Sequence, residues 1–239
     1  MNFIFNVIIV LLITSSSTAN SADKSLVIKG LPVGFTSLIA GDIQTHWQGL
    51  LAEPYDKPHQ RKLLSSVEKV QEQILANKIM SAHWRIEDDV LYFDGNGTSL
   101  VTKKHHDDFE LYLDWRIEKN GDSGVYLRGL PQVQIWDPDN PEVEQHGAEK
   151  GSGGLWNNTN LGKFPLVKAD KPVGQWNQFY IKMIADKVTV YLNGTLVVDQ
   201  QVLQNLWQPK ESIPQQEQIE LQVHGHAVQW RNIYIKELN

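Results

Sequence analysis

Between residues 84 and 236 the chain breaks into a succession of short segments of strand composition. The longest of them, FELYLDWRI at 109–117, alternates without a slip, setting Phe109, Leu111, Leu113, Trp115 and Ile117 against Glu110, Tyr112, Asp114 and Arg116. Side chains two apart share one face of a strand, so this pattern predicts a half-buried strand of an antiparallel sheet. The same reading predicts strands at 84–86, 90–93, 100–102, 125–128, 133–136, 179–184, 187–192, 195–199, 219–223 and 228–236. Asn193-Gly194 is a strong hairpin signal, because both residues accept positive φ. Strands of this number and length imply an all-β sandwich of two packed sheets.

One stretch departs from this period. At 59–80 Leu63, Leu64, Val67, Val70, Ile74, Leu75 and Ile79 recur at spacings of three and four, which predicts an amphipathic helix whose apolar stripe packs on the body of the domain. A long Gly-rich loop spans 138–172 and contains GSGGLWNNTN; with Leu155 and Trp156 inside it, it is expected to fold over something. No repeat and no linker divides the chain, and 239 residues suit a single well-buried domain.

The first 22 residues carry no charged side chain, and an apolar run at 3–13 is followed by Ser, Thr and Ala. This reads as a secretory signal peptide at 1–22 ahead of a domain at 23–239, since the run is too short to span a bilayer. No transmembrane span is expected in the mature chain. The complete lack of cysteine excludes disulfides, thiolate metal sites and a Cys nucleophile. A net charge of -6, without any basic cluster, argues against nucleic acid as a partner. Eight Trp leave two uses open, core payload or a sugar-stacking surface.

Three polar strand faces are candidates for chemistry. In GDSGVYLRGLPQVQIWD (121–137), Val125, Leu127, Val133 and Ile135 turn to the core, while Tyr126, Arg128, Gln132, Gln134 and Trp136 take the other side and Asp137 closes the strand. Asp114 and Arg116 supply a second face. IELQVHG supplies a third, with Glu220, Gln222 and His224 on its polar side. Arg128 offers a planar fork for sugar hydroxyls or a developing oxyanion, or else a structural ion pair. His224 is a base, a metal ligand or a turn residue. The amides of Gln132, Gln134 and Gln222 suit sugar hydroxyls. Lys168 is an electrophile or base only if desolvated, and Trp156 is a loop aromatic at the same site. His105, His106 and His146 lack partners at recognisable ligand spacing, and acids at 137–149 leave a hard-cation site equally open.

Taken in order, GDSGVYLRG, PQVQIWD, PLVKADKPVGQWN, VTVYLNGTLVVD and IELQVHGHAVQWRNIYIKEL resemble the 3-keto-disaccharide hydrolase domain family. The resemblance covers nearly the whole mature chain, FTSLIAG included. It implies a concanavalin A-like jelly roll with a concave carbohydrate groove, and export to the bacterial periplasm or beyond. It also implies attack on glycosides already oxidised to a ketone at carbon 3: a base removes the hydrogen on carbon 2, the aglycone leaves carbon 1, and water adds. His224, Asp114, Arg128 and Lys168 are the expected catalytic groups, with Gln132, Gln134, Trp136, Asp137, Arg116, Gln222 and Trp156 around the substrate. The electrophile is left open between a divalent metal ion and a cationic side chain. Many relatives carry Glu where this chain has Gln132, so a lectin-like binding module that has lost catalysis is the alternative.

Overall fold

The computed structural model describes residues 30–159 and 161–238; the expected leader at 1–22 lies outside the described residues. In chain order the elements are β1 (Thr36–Ser37), α1 (Ile43–His46), β2 (Trp47–Gly49), α2 (Pro58–Arg61), α3 (Ser66–His83), β3 (Trp84–Glu87), β4 (Val90–Phe93), β5 (Leu100–Thr102), β6 (Phe109–Ile117), β7 (Asp122–Leu127), β8 (Leu130–Trp136), β9 (Asn177–Ile184), β10 (Lys187–Leu192), β11 (Thr195–Val202), β12 (Glu220–Leu221) and β13 (Val228–Glu237). The strands form two antiparallel sheets. The larger runs β11-β10-β9-β6-β13-β4-β3, with β1 also on β13; the smaller runs β2-β5-β12-β7-β8. This is the two-sheet sandwich that the alternating segments imply, and the jelly roll that the resemblance implies.

Inward-facing residues of both sheets make one continuous core, with Leu111, Leu113 and Trp115 from the large sheet meeting Val125, Val133, Ile135 and Leu221 from the small one. Trp115 lies directly across from Trp230 on β13, and both are fully buried. Most tryptophans are therefore core payload, and only Trp156, Trp176 and Trp207 are partly exposed. Asn193 and Gly194 both take positive φ, at 53° and 83°, and close the β10–β11 hairpin.

Chain connectivity decides where the polar rows go. β6 lies in the large sheet, whereas β7, β8 and β12 lie in the small one. Because each strand buries its apolar row between the sheets, the polar row of β6 and the polar rows of β7, β8 and β12 face away from each other across the sandwich. The groove expected to unite all three faces is corrected here: only the β7–β8 and β12 rows share a surface.

The helical stretch also differs from expectation. It is two helices, α2 and α3, separated by a turn in which Ser65 caps α3: its hydroxyl accepts from the Glu68 N–H while the Glu68 carboxylate accepts from the Ser65 N–H. Only Ala76 and Met80 of α3 are buried. The apolar stripe points outward instead of onto the domain, with Leu63, Val67, Val70, Ile74 and Leu75 each more than half exposed. The cause is the contact itself. A Cβ on Gly49 would lie 2.3 Å from the Ala76 carbonyl oxygen, so helix and edge strand touch backbone to backbone. Gln73 Nε2 donates to the Gly49 carbonyl at 2.8 Å and Asn77 Oδ1 accepts the Gly49 N–H at 3.0 Å. These bonds satisfy an otherwise open sheet edge, and they turn the polar side of α3 inward.

Candidate functional site

The outer face of the small sheet is a polar floor whose order is set by strand register. Asp122 lies opposite Trp136, Gly124 opposite Gln134, and Glu220 opposite both Tyr126 and Val101. Gln222 joins this floor by donating its backbone N–H to the Gly124 carbonyl at 2.9 Å. At position 124 a side chain would collide: a Cβ there would lie 3.0 Å from Gln222 Oε1 and 3.2 Å from Gln132 Cγ. The glycine is what lets the two amides converge.

A hydrogen-bond chain runs along the floor. Gln132 donates to Gln134 Oε1, Gln134 Nε2 donates to Asp122 Oδ1 at 2.8 Å, and the other Asp122 oxygen lies 3.5 Å from His224 Nδ1. Burial raises the Asp122 carboxyl, opposed by His224 and by the Gln134 amide. Gln222 Nε2 donates to the Tyr126 hydroxyl at 3.4 Å, while Gln222 Oε1 is buried without any partner. A buried acceptor without a partner is the exception among buried polar groups.

Glu220 is the group that sequence reasoning passed over. It is 6% exposed, and burial pushes its carboxyl up to about 7 against the pull of Ser99 and of Arg61 from α2. Burial, with the Glu220 charge next, also pushes the Tyr126 hydroxyl up, so it stays protonated. The alternation in IELQV places Glu220 beside Gln222 and His224, but nothing in a single strand announces that its carboxyl is buried. Asp122 and Glu220 lie at opposite ends of the floor: Tyr126, the partner of Glu220, is four residues along β7 from Asp122, about 13 Å of strand.

The long loop completes one end wall. Residues 152–156 pair with β8, with the Gly153 and Trp156 N–H groups donating to the carbonyls of Gln134 and Gln132 at 2.8 and 3.2 Å. Trp156 is thereby set 5.2 Å from Trp136 and 5.8 Å from His146, ring centre to ring centre, with the Lys163 ammonium 4.1 Å from its own centre. Gln132, Gln134, Gln222, Trp136, Trp156 and His224 are thus brought together as expected, with His224 on an exposed rim.

The other expected residues are placed elsewhere. Arg128 is in the β7–β8 turn at φ 50°, not on the strand, and its guanidinium is buried at one end of the sandwich. There it donates to the carbonyls of Ala185, Pro214 and Gln215 and faces Asp107 and Asp108 at 3.5 and 3.6 Å. Asp114, on the large sheet, accepts from Gln178, Arg231 and Asn232 at 2.8, 3.0 and 2.8 Å. Arg116 donates to Gln229 and stacks 4.7 Å from the Trp176 ring centre. Asp137 accepts the Asn120 and Asp139 N–H groups and holds a turn. Lys168 is exposed and pairs with Asp139 at 3.3 Å, so it is not desolvated. Among the described residues no group of three or more His, Asp or Glu side chains is arranged to hold a metal ion.

The model of the 3-keto-alpha-glucoside-1,2-lyase-like domain matches residues 34–236. A 3-keto-disaccharide hydrolase of Bacteroides thetaiotaomicron is 27% identical over 160 residues, covering 52% of this chain and 51% of the relative; the chain thus spans about half the length of that curated relative. Two crystal structures from Parabacteroides distasonis, both named as candidate glycosyl hydrolases, share the fold. One is 24% identical at a TM-score of 0.60 and covers 86% of this chain and 94% of its own; the other is 23% identical at 0.55 and covers 80% and 99%.

Proposed function

Because this chain belongs to the 3-keto-alpha-glucoside-1,2-lyase-like family, we propose that it is an exported carbohydrate-active enzyme that cleaves 3-keto-glycosides by elimination and hydration in a trough over the outer face of the small sheet. The observation that carries this reading is Glu220, a buried carboxyl poised at about 7 on the residue directly across from Tyr126. A base of that pKa suits removal of a hydrogen made acidic by a neighbouring ketone. Glu220 takes the proton from carbon 2, the electron pair moves into the carbon 1–carbon 2 bond, and the bond from carbon 1 to the glycosidic oxygen breaks. That oxygen leaves with a proton from Tyr126, whose hydroxyl is protonated across the working range. Water then adds across the new double bond, and the two side chains recover their original protonation states. Gln132, Gln134 and Gln222 hold sugar hydroxyls, with the unpaired Gln222 Oε1 as an acceptor.

The spacing of the acids supports elimination over paired-carboxylate hydrolysis. That chemistry sets two carboxyls about 5–9.5 Å apart, whereas Asp122 and Glu220 sit at opposite ends of the floor. Export rests on the uncharged apolar leader at 1–22. A carbohydrate-binding module without turnover is the second reading, favoured by the amide at Gln132. Incubation with a 3-keto-disaccharide separates the two: release of monosaccharide is the expected result, and none, with or without added divalent metal, overturns the enzyme.

A further inference from the structure

A pocket of about 450 Å³ lies between α2, α3 and the chain leading into β12, a volume that suits a small-molecule site. Its lining is unlike that of the trough. Arg61, Lys62, Lys69 and His105 face it, and Glu217 is its single acid. Glu217 is already committed: Arg61 and His105 each lie 3.4 Å from the same carboxylate oxygen, and the carboxylate accepts the Gln218 N–H at 3.0 Å. Arg61 is held in place by donating to the carbonyls of Tyr55 and Asp56. Lys62 and Lys69 make no ion pair among the described residues. Two ammonium groups without counter-ions therefore share one concave wall of a chain whose net charge is -6. An anion in that wall gains from both, and low-dielectric walls focus the field.

The pocket is placed to act on the same ligand as the trough. Gln48, in its lining, lies opposite Val101, which lies opposite Glu220, so the Gln48 and Glu220 backbones are two strand spacings apart, about 10 Å. We propose that this pocket binds an acidic group, a carboxylate or sulfate, on the sugar unit adjoining the one cleaved, so that the substrates are acidic glycosides. The proposal rests on the reading of the trough as a sugar site. Lys62 and Lys69 are its positioning residues, and neither touches the reacting atoms.

Calorimetry on the full chain tests it without requiring turnover. The probes are a neutral disaccharide, the matching disaccharide ending in a uronic acid, and a sulfated one. At least one acidic probe is expected to bind about tenfold more tightly than the neutral one, a typical gain from one charge-assisted contact, and the stronger of the two identifies the anion. That preference is expected to shrink with added salt and to vanish in Lys62→Gln/Lys69→Gln, both exposed positions. Equal or absent binding of the acidic probes, or a preference that survives in the double variant or at high salt, overturns the proposal. If the preference holds but 3-keto-disaccharides are not cleaved, the pocket stands and the hydrolase reading falls. If cleavage occurs without the preference, only the pocket falls.

Discussion

Glu220 concentrates the argument at the scale of single residues, because burial sets both its chemistry and its cost. Its carboxyl titrates at about 7 in the folded chain against 4.5 for an ordinary Glu. Between those values the folded state keeps a proton that the unfolded state releases, so the stability this group contributes is complete below pH 4.5 and is lost as pH rises through 7. Glu220→Gln is therefore expected to raise stability by about 1–3 kcal/mol at pH 8 and to leave it unchanged near pH 4, as read from thermal melts at the two values. In the same variant turnover should fall by roughly 10²-fold or more, the usual worth of a positioned proton-transfer group. The wild-type rate should rise with pH through about 7 as the carboxyl ionises. Arg128 makes the opposite case. Its guanidinium satisfies three backbone carbonyls in a buried corner, so Arg128→Met should lower stability by about 2–4 kcal/mol, measured by denaturant unfolding.

At the scale of elements, alternation made most strands legible: the bounds expected for β4, β5, β6 and β10 coincide with those observed, because a strand's two faces are written into consecutive residues. Which sheet a strand joins is a matter of distant partners. β6 pairs with β9 and β13, β7 with β8 and β12, and nothing within FELYLDWRI or GVYLRG records that separation. Hence the orientation of Gln132, Gln134 and Gln222 could be read from the sequence, while the assignment of Asp114 and Arg116 to the same groove could not. The same limit applies to α3, whose apolar period is real but whose docking is decided by one glycine on another strand. Gly49→Ala should drive a methyl group into the Ala76 carbonyl and lift α3 from the sheet edge, lowering stability by about 1–3 kcal/mol and raising amide exchange across α3. Gly124→Ala crowds Gln222 Oε1, Gln132 and the Val133 carbonyl; weaker sugar binding, with a fall in melting temperature smaller than that of Gly49→Ala, is the expected outcome, by calorimetry and thermal melts in parallel.

For the whole molecule, the sandwich works as a two-sided object. On one outer face the two expected groups are already engaged: Asp114 by Gln178, Arg231 and Asn232, and Arg116 by Gln229 and Trp176. The other keeps an unpaired acceptor, a raised carboxyl and a loop-built aromatic wall. Function is assigned to the second face. Release of monosaccharide from a 3-keto-disaccharide by the wild type, Glu220→Gln and Asp114→Asn, each checked for folding and compared at pH 8, tests that assignment most directly. The expected result is rapid release by the wild type, a loss of about 10²-fold or more in Glu220→Gln, and activity within about threefold of wild type in Asp114→Asn. Glu220→Gln as active as the wild type, or a folded Asp114→Asn as inactive as Glu220→Gln, would contradict it.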